Sequence, residues 1–379
     1  MTTVIKNGFV ISSDFKEFSK RDLILENGYI VEKASDLSEV KEIDAEGKYV
    51  LPGLIDIHNH GACGSNYSSD SDFRPARLYA AKEGVTSVVV SPGGRPLDEL
   101  IEQTKTILSK KDESCGAKFI GIHYEGPFIS ESKKGAMKTP DDVPTVESFI
   151  KLVEVAGDFV KIMTIAAEVP NAIEIIKEGK KRGIRMSLGH TDATYEEAMS
   201  AIDAGAVGAT HTFNAMRSLL HRDPGVLGAV LTDDRVSCEV ICDMVHLAPA
   251  TVKLIYAAKG SDNFIIVSDN GAQTGLPDGE YKIGEFIKTI KNGVCTVNGG
   301  KTIAGSMQSM SSGARNLLKL GIPMNEVSKM ASYNPALAVS VEKEIGSIDV
   351  GKRADVIIVD ADFNVEYTFI DGELFEKGD

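Results

Sequence analysis

Apolar residues recur with two periods along this chain, and the places where the period changes divide it into regions. Across residues 54–345, short and nearly continuous apolar runs alternate with amphipathic segments. The runs Leu54–Ile57, Thr86–Ser91, Lys118–Tyr124, Val160–Ala166, Ile184–Gly189, Val207–Thr210, Val236–Cys242 and Phe264–Ser268 read as eight buried strands. Between them, Asp72–Glu83, Leu97–Ser109, Asn171–Arg182 and Thr194–Ala204 read as helices. Thr194-Tyr195-Glu196-Glu197 has capping-box spacing, which leaves His190–Ala193 as a short loop between strand and helix. Strict βα alternation predicts an α/β fold, a (β/α)8 TIM-like barrel. An open doubly wound sheet would not gather side chains from its first and last strands.

The two ends of the chain read differently. Residues 1–53 are β-rich runs with hairpin-type signals at Lys6-Asn7-Gly8 and Glu26-Asn27-Gly28. In the tail, Gly346–Asp360 reads as two short strands around Val350-Gly351-Lys352, and Tyr367–Phe375 turns at Asp371-Gly372. Neither end can bury a core alone, so residues 1–53 and 346–379 are expected to pair into one small β-sandwich domain beside the 54–345 barrel. The length supports this, since 379 residues exceed the roughly 250 typical of a barrel. Tyr281–Thr302 breaks the alternation around Asn292-Gly293 and Asn298-Gly299-Gly300, and reads as a hairpin inserted after strand eight, a flap over the mouth.

Composition narrows the function classes. With 42% hydrophobic and 25% charged residues, the chain builds a large core. A net charge of -14 speaks against a nucleic-acid partner, so any phosphate must be met by a local pocket. The cysteines Cys63, Cys115, Cys238, Cys242 and Cys295 are odd in number and form no CxxC pair, which points to a reducing cytoplasm. Met1–Val10 shows no signal-peptide pattern, and no apolar run nears the roughly 18 residues of a membrane span.

The chemistry lies at the strand ends. His58, His60, His190 and His211, four of only seven histidines, fall there with Glu125 and Asp269. In a parallel barrel all those ends face one mouth, so six scattered residues converge. His58-Asn59-His60 on a strand puts both rings on one face, because strand periodicity is two. Imidazole with carboxylate suits Zn²⁺ and tolerates Fe²⁺ and other first-row ions. Asp269-Asn270-Gly271 is also a good turn sequence, but its place beside the ligands marks Asp269 as a catalytic base. The expectation is a metal-dependent hydrolase.

Longer strings carry a resemblance. Leu51-Pro-Gly-Leu-Ile-Asp-Ile-His58-Asn-His60-Gly is similar to the opening of the amidohydrolase superfamily. His123-Tyr-Glu125-Gly-Pro-Phe128, Gly189-His-Thr-Asp-Ala-Thr194, Thr210-His-Thr-Phe-Asn-Ala-Met216, His221-Arg-Asp-Pro-Gly225, Ala304-Gly-Ser306 and Gly346-Ser-Ile348 with Gly351-Lys352 and Ala354-Asp355 narrow it. Together they resemble the N-acetylglucosamine-6-phosphate deacetylase family along nearly the whole chain.

The resemblance implies that Glu125, His190 and His211 hold the main metal ion, and that His58 and His60 can take a second with Glu125 as bridge. It implies that Asp269 activates water and protonates the departing amine. Asn214, Ala215, Arg222 and His246 match sugar-phosphate contacts, with Arg222 and His246 supplied across a homodimer interface, and Ala304, Gly305 and Ser306 match a segment closing over the sugar. Three departures bear on the substrate. The family's histidine after Lys-Gly-Ala is here Met137, following Ala136; Asn270 replaces an alanine; and Ser65-Asn66 stands where an aspartate is common. The implied reaction gives glucosamine 6-phosphate and acetate, or the same chemistry on another amino-sugar phosphate such as the galactosamine epimer. A dihydroorotase-like branch would carry a lysine at the end of strand four, where this chain has Ala167-Glu168. A non-catalytic scaffold would have lost ligands that this chain keeps.

Overall fold

The computed structural model describes residues 2–35, 38–137, 143–284, 286–297, 299–300 and 302–376. Eight parallel strands, hydrogen-bonded in chain order, form its inner sheet: Leu54–Asn59, Val85–Val90, Lys118–Glu125, Val160–Ile165, Arg185–Leu188, Gly208–Ala209, Ser237–Ile241 and Phe264–Val267. Val85–Val90 and Phe264–Val267 bury every side chain. They face barrel interior on one side and helices on the other, which is why these runs are continuously apolar rather than alternating. The barrel closes between its first and last strands at the mouth. There Asp269 N–H donates to His58 O at 3.0 Å and His60 N–H to Asn270 O at 2.6 Å. The seam of the fold thus passes through residues that the sequence marks for chemistry.

The outer helices are amphipathic. Ala172–Lys181 buries Ala172, Ile175, Ile176 and Gly179, one stripe at helical spacing, and ends in Lys180 and Lys181 where the helix dipole favours cations. Tyr195–Ala204 starts on the expected capping box, in which Thr194 accepts from the Glu197 N–H and the Glu197 carboxylate accepts from the Thr194 N–H.

Strands from both chain ends share one eight-stranded sheet. Tyr49–Pro52 pairs antiparallel with Val356–Val359, which pairs onward to Val365–Ile370 and Glu373–Leu374. On the other side Tyr49–Pro52 lies beside Thr2–Ile11, and that strand pairs with Phe18–Glu26. Two local expectations change. Lys6-Asn7-Gly8 does not end a strand: Thr2–Ile11 is continuous, with a bulge between Ile5 and Gly8 that absorbs the positive φ of Asn7. Gly346–Asp360 holds one strand rather than two, because Asp349–Lys352 closes a tight turn (Lys352 N–H to Asp349 O, 3.1 Å) with Gly351 at φ 90°.

The insertion after strand eight is larger than a hairpin. It is a four-stranded antiparallel meander, Gly279–Ile283, Phe286–Lys291, Val294–Val297 and Thr302–Ile303. Asn292 and Gly293 both take positive φ for one turn, and Gly299 and Gly300 do so for the next; Asn298 lies outside the described residues.

Candidate active site and metal centre

His58 and His60 lie at the end of barrel strand one, Glu125 is the last residue of strand three, and His190, His211 and Asp269 follow strands five, six and eight by two residues. The last three take left-handed backbone angles, with φ of 48°, 29° and 49°. Each such conformation costs about 1–3 kcal/mol and persists only where surroundings hold it. Part of that hold is visible at Gly189, where a Cβ would come within 2.7 Å of Thr210 Cβ and 2.8 Å of Thr164 Cγ2. Only glycine lets the chain turn there and aim His190 into the mouth.

Glu125 is the hub. Its Oε1 lies 3.0 Å from Nε2 of both His190 and His211 and 3.3 Å from His58 Nε2, while Oε2 lies 3.2 Å from His60 Nε2. Asp269 Oδ1 is 3.2 Å from His60 Nε2 and 3.7 Å from His58 Nε2. The far side of three rings meets an acceptor: His60 Nδ1 at Ser91 O (2.6 Å), His190 Nδ1 at Lys133 O (2.7 Å) and His58 Nδ1 at Glu239 Oε2 (3.1 Å). Those partners place the ring proton on Nδ1. The Nε2 lone pairs then converge on carboxylates and on one another, His58 to His60 at 3.1 Å and His190 to His211 at 3.0 Å. Lone pairs and anions so arranged repel unless a cation sits among them. The donor set therefore fits a divalent ion.

The electrostatics agree. Burial opposes charge on Glu125, yet the His58 and His60 rings, with His190 and His211 close by, hold it well below the usual carboxylate range. Burial also disfavours charged rings at His58 and His60, but the carboxylates, Glu125 foremost, outweigh it and raise both, His60 to about 9. In the ion-free cluster, protons supply the positive charge the site demands. His123 stands apart despite its ring lying 4.6 Å from that of His58. Its nitrogens are committed to Ile57 O and Thr164 Oγ1, and burial pushes its pKa down to about 3.

A cavity of about 600 Å³ opens over this cluster, a size that suits a small ligand. His60, Glu125, Ala136, Met137, His190, His211, Asn214, Ala215, His246, Asp269, Ala304 and Gly305 line it, and Ile283, Phe286 and Lys288 of the meander roof it. His58 is fully buried behind the wall. Ser306 is buried too; its hydroxyl donates to Asp243 Oδ2 at 3.0 Å, so it meets the site through Asp243. Arg222 is exposed and does not line the cavity of its own chain; its guanidinium donates to His221 Nε2 at 2.7 Å. Met137 turns its sulfur to the Gly94 N–H at 3.1 Å.

Several contributors are absent from the strand-end reading. Asp243 accepts from His246 Nδ1 (2.7 Å) and from the His246 and Val245 N–H groups, fixing the ring on the cavity wall. Glu168 accepts from the Thr191 hydroxyl and from the Asp192 N–H (2.6 Å), which ties down the loop after His190. Gln273 accepts from Lys288 Nζ at 2.7 Å, linking the meander to the loop after Asp269. Asp243 and His246, three residues apart, carry a legible spacing; Glu239, an acid inside the apolar run Val236–Cys242, carries another.

Fold and site together define a class, barrel hydrolases that work on a bound metal ion. Residues 49–375 match the Amidohydrolase family, and the chain belongs to it. An N-acetylglucosamine-6-phosphate deacetylase of Lysinibacillus sphaericus is 31% identical over 99% of this chain and 98% of its own length. An N-acetylgalactosamine-6-phosphate deacetylase of Escherichia coli O157:H7 is 33% identical over 88% of this chain and 89% of its own. Among solved structures, an aspartate-to-alanine mutant of N-acetyl-D-glucosamine-6-phosphate deacetylase from Mycobacterium smegmatis, in complex with N-acetyl-D-glucosamine-6-phosphate, superposes with a TM-score of 0.89 at 29% identity, covering 99% of this chain and 98% of that one.

Proposed function

We propose that this chain hydrolyses the acetamido group of N-acetylglucosamine 6-phosphate to glucosamine 6-phosphate and acetate. The observation that carries the reading is the convergence of four histidine Nε2 atoms and two carboxylates on one cavity. Glu125, His190 and His211 would hold one divalent ion, and His58 and His60 a second bridged by Glu125; Zn²⁺ suits this donor set best, with Fe²⁺ next. A divalent ion at such a site polarises an amide carbonyl and lowers the pKa of water to about 7. Asp269 handles the protons. Burial pushes its pKa up, but the hydrogen bond from His60 and the charges of His58 and His60 overcome that and hold it far below the usual range. As a carboxylate it would take the proton of the attacking water and deliver it to the departing amine nitrogen.

On the cavity wall, Asn214, Ala215 and His246 would contact the sugar phosphate, His246 from this chain's own wall rather than across a dimer interface, with Ala136, Met137, Ala304 and Gly305 around the sugar and Ser306 behind them holding Asp243. Arg222, exposed on its own chain, would reach the phosphate of the partner subunit in a homodimer, where its forked donors suit a phosphate. All five cysteines are free, which fits a cytoplasmic setting, and among the described residues no helix is long and apolar enough to cross a membrane. Arg222→Ala is expected to raise KM for the phosphorylated sugar at least tenfold, with little change for the unphosphorylated one. An equal effect on both would remove Arg222 from the phosphate site.

A second reading has one observation behind it. Met137 stands on the wall with a thioether, where a ring could have donated to a sugar hydroxyl; losing such a bond costs about 1–3 kcal/mol. The galactosamine epimer is then the competing substrate. Steady-state kinetics on both epimers decide: a kcat/KM favouring the gluco sugar supports the first reading, and the reverse replaces it.

Metal affinity should fall as pH falls. The ion-free pKa values of His58 and His60 are both raised by the neighbouring carboxylates, His60 to about 9, so an entering ion must displace protons from these rings. Titrating ion-free protein with Zn²⁺ at pH 7.5 in buffers of different ionisation enthalpy should show proton release. Binding without proton release would contradict the arrangement.

A further inference from the structure

Glu239 lies in the middle of barrel strand seven, Ser237–Ile241, with no exposed surface. An ionised side chain there is costly unless it is compensated. Its compensation is sparse. Oε2 meets His58 Nδ1 at 3.1 Å, while Oε1 has no hydrogen-bond partner. Arg185, the half-buried cation whose charge acts on it, leaves its own buried Nε without a partner and spends Nη2 on Val207 O and the Ser237 hydroxyl. His58, His123 and Glu239 bring ligand atoms within 4.8 Å of one another, but both His123 nitrogens are already taken, so this trio is not an ion site. What remains is a carboxylate whose one donor is the back of a ring whose front faces Glu125 and Asp269.

His58 differs in this from its neighbours. The Nδ1 atoms of His60 and His190 meet neutral backbone carbonyls, and that of His211 is buried without a partner. Only the His58 ring is backed by a full negative charge. A carboxylate behind an imidazole fixes its tautomer and makes its other nitrogen a stronger donor. We infer that Glu239 is a positioning residue that turns His58 Nε2 toward the mouth and, through that ring, sets the affinity of the His58–His60 half of the centre. The buried charge of Glu239 is then balanced by the ion beyond the ring together with Arg185. This inference rests on the two-ion reading given above.

The test separates it from a purely structural role. Glu239→Gln keeps the shape and an acceptor but removes the charge. Chelator competition and elemental analysis should show one of two ions bound 10–100-fold more weakly than in the parent, lost on dialysis, while the other stays. A structural role alone would lower the melting temperature of the ion-free protein and leave both ion affinities as they were, and that result overturns the inference. Should the variant not fold, the zinc-loaded parent still decides. With seven histidines to assign, ¹⁵N-histidine NMR should show the His58 proton on Nδ1 and the lone pair on Nε2. A proton on Nε2, or a His58 signal that does not move on zinc loading, overturns it. A parent that binds no ion at all would sink the metal reading itself, whereas a parent with two ions unaltered by Glu239→Gln sinks only the role of Glu239.

Discussion

Asp269→Asn should lower kcat by about 10²–10⁴-fold while the protein keeps its metal. The amide matches the carboxylate in shape, and the backbone of Asp269 stays pinned by its N–H to His58 O at 3.0 Å and by the Ser306 N–H donating to its carbonyl at 2.9 Å. On the proposed reading, removing the charge takes away the group that would accept the water's proton and return it to the amine. KM should change little, because the side chain acts on the reacting atoms rather than on the sugar. Metal content is the control: with two ions retained and turnover lost, the defect is in proton transfer. Near-normal kcat in a metal-replete variant would remove Asp269 from the mechanism.

Glu125→Ala should abolish both metal binding and activity. Glu125 is the one carboxylate that reaches all four rings, between 3.0 and 3.3 Å. Without it, the four Nε2 atoms face each other with Asp269 as the one carboxylate left on their side of the rings, and the site loses its hub. A bound ion supplies several kcal/mol of transition-state stabilisation, so its loss costs on the order of a thousandfold in rate. Elemental analysis and acetate release on the same sample check this. A Glu125→Ala protein with a full complement of metal would mean that the ion is held elsewhere. Chelation of the parent should produce the same loss reversibly, with Zn²⁺ restoring activity.

The barrel and much of its mouth were legible because two signals coincide there. Each buried strand announces itself as an apolar run, and His58, Glu125, His190, His211 and Asp269 sit within two residues of a run's end. Topology then does the gathering that sequence distance hides. Less was legible where a local signal has two structural outcomes. Asn7-Gly8 satisfies a turn, but the strand pairing on both flanks makes a bulge of it. Gly299-Gly300 reads as loop chemistry, yet it joins Val294–Val297 to Thr302–Ile303 and extends the meander over the cavity. Residues that act through others were the hardest to find. Asp243 and His246 at least share a local spacing, but Glu168 and Glu239 touch the Thr191–Asp192 loop and His58, and only the folded backbone shows those two pairings. Arg222 shows the limit of a single chain, since it is exposed and does not line the cavity of its own chain.

The most direct test of the account is acetate release from N-acetylglucosamine 6-phosphate by metal-loaded protein, with the same protein treated with chelator alongside. The account predicts stoichiometric acetate and glucosamine 6-phosphate from the loaded protein, and none after chelation until Zn²⁺ or Fe²⁺ is returned. No acetate from the metal-replete protein, or turnover that chelation leaves untouched, would contradict it.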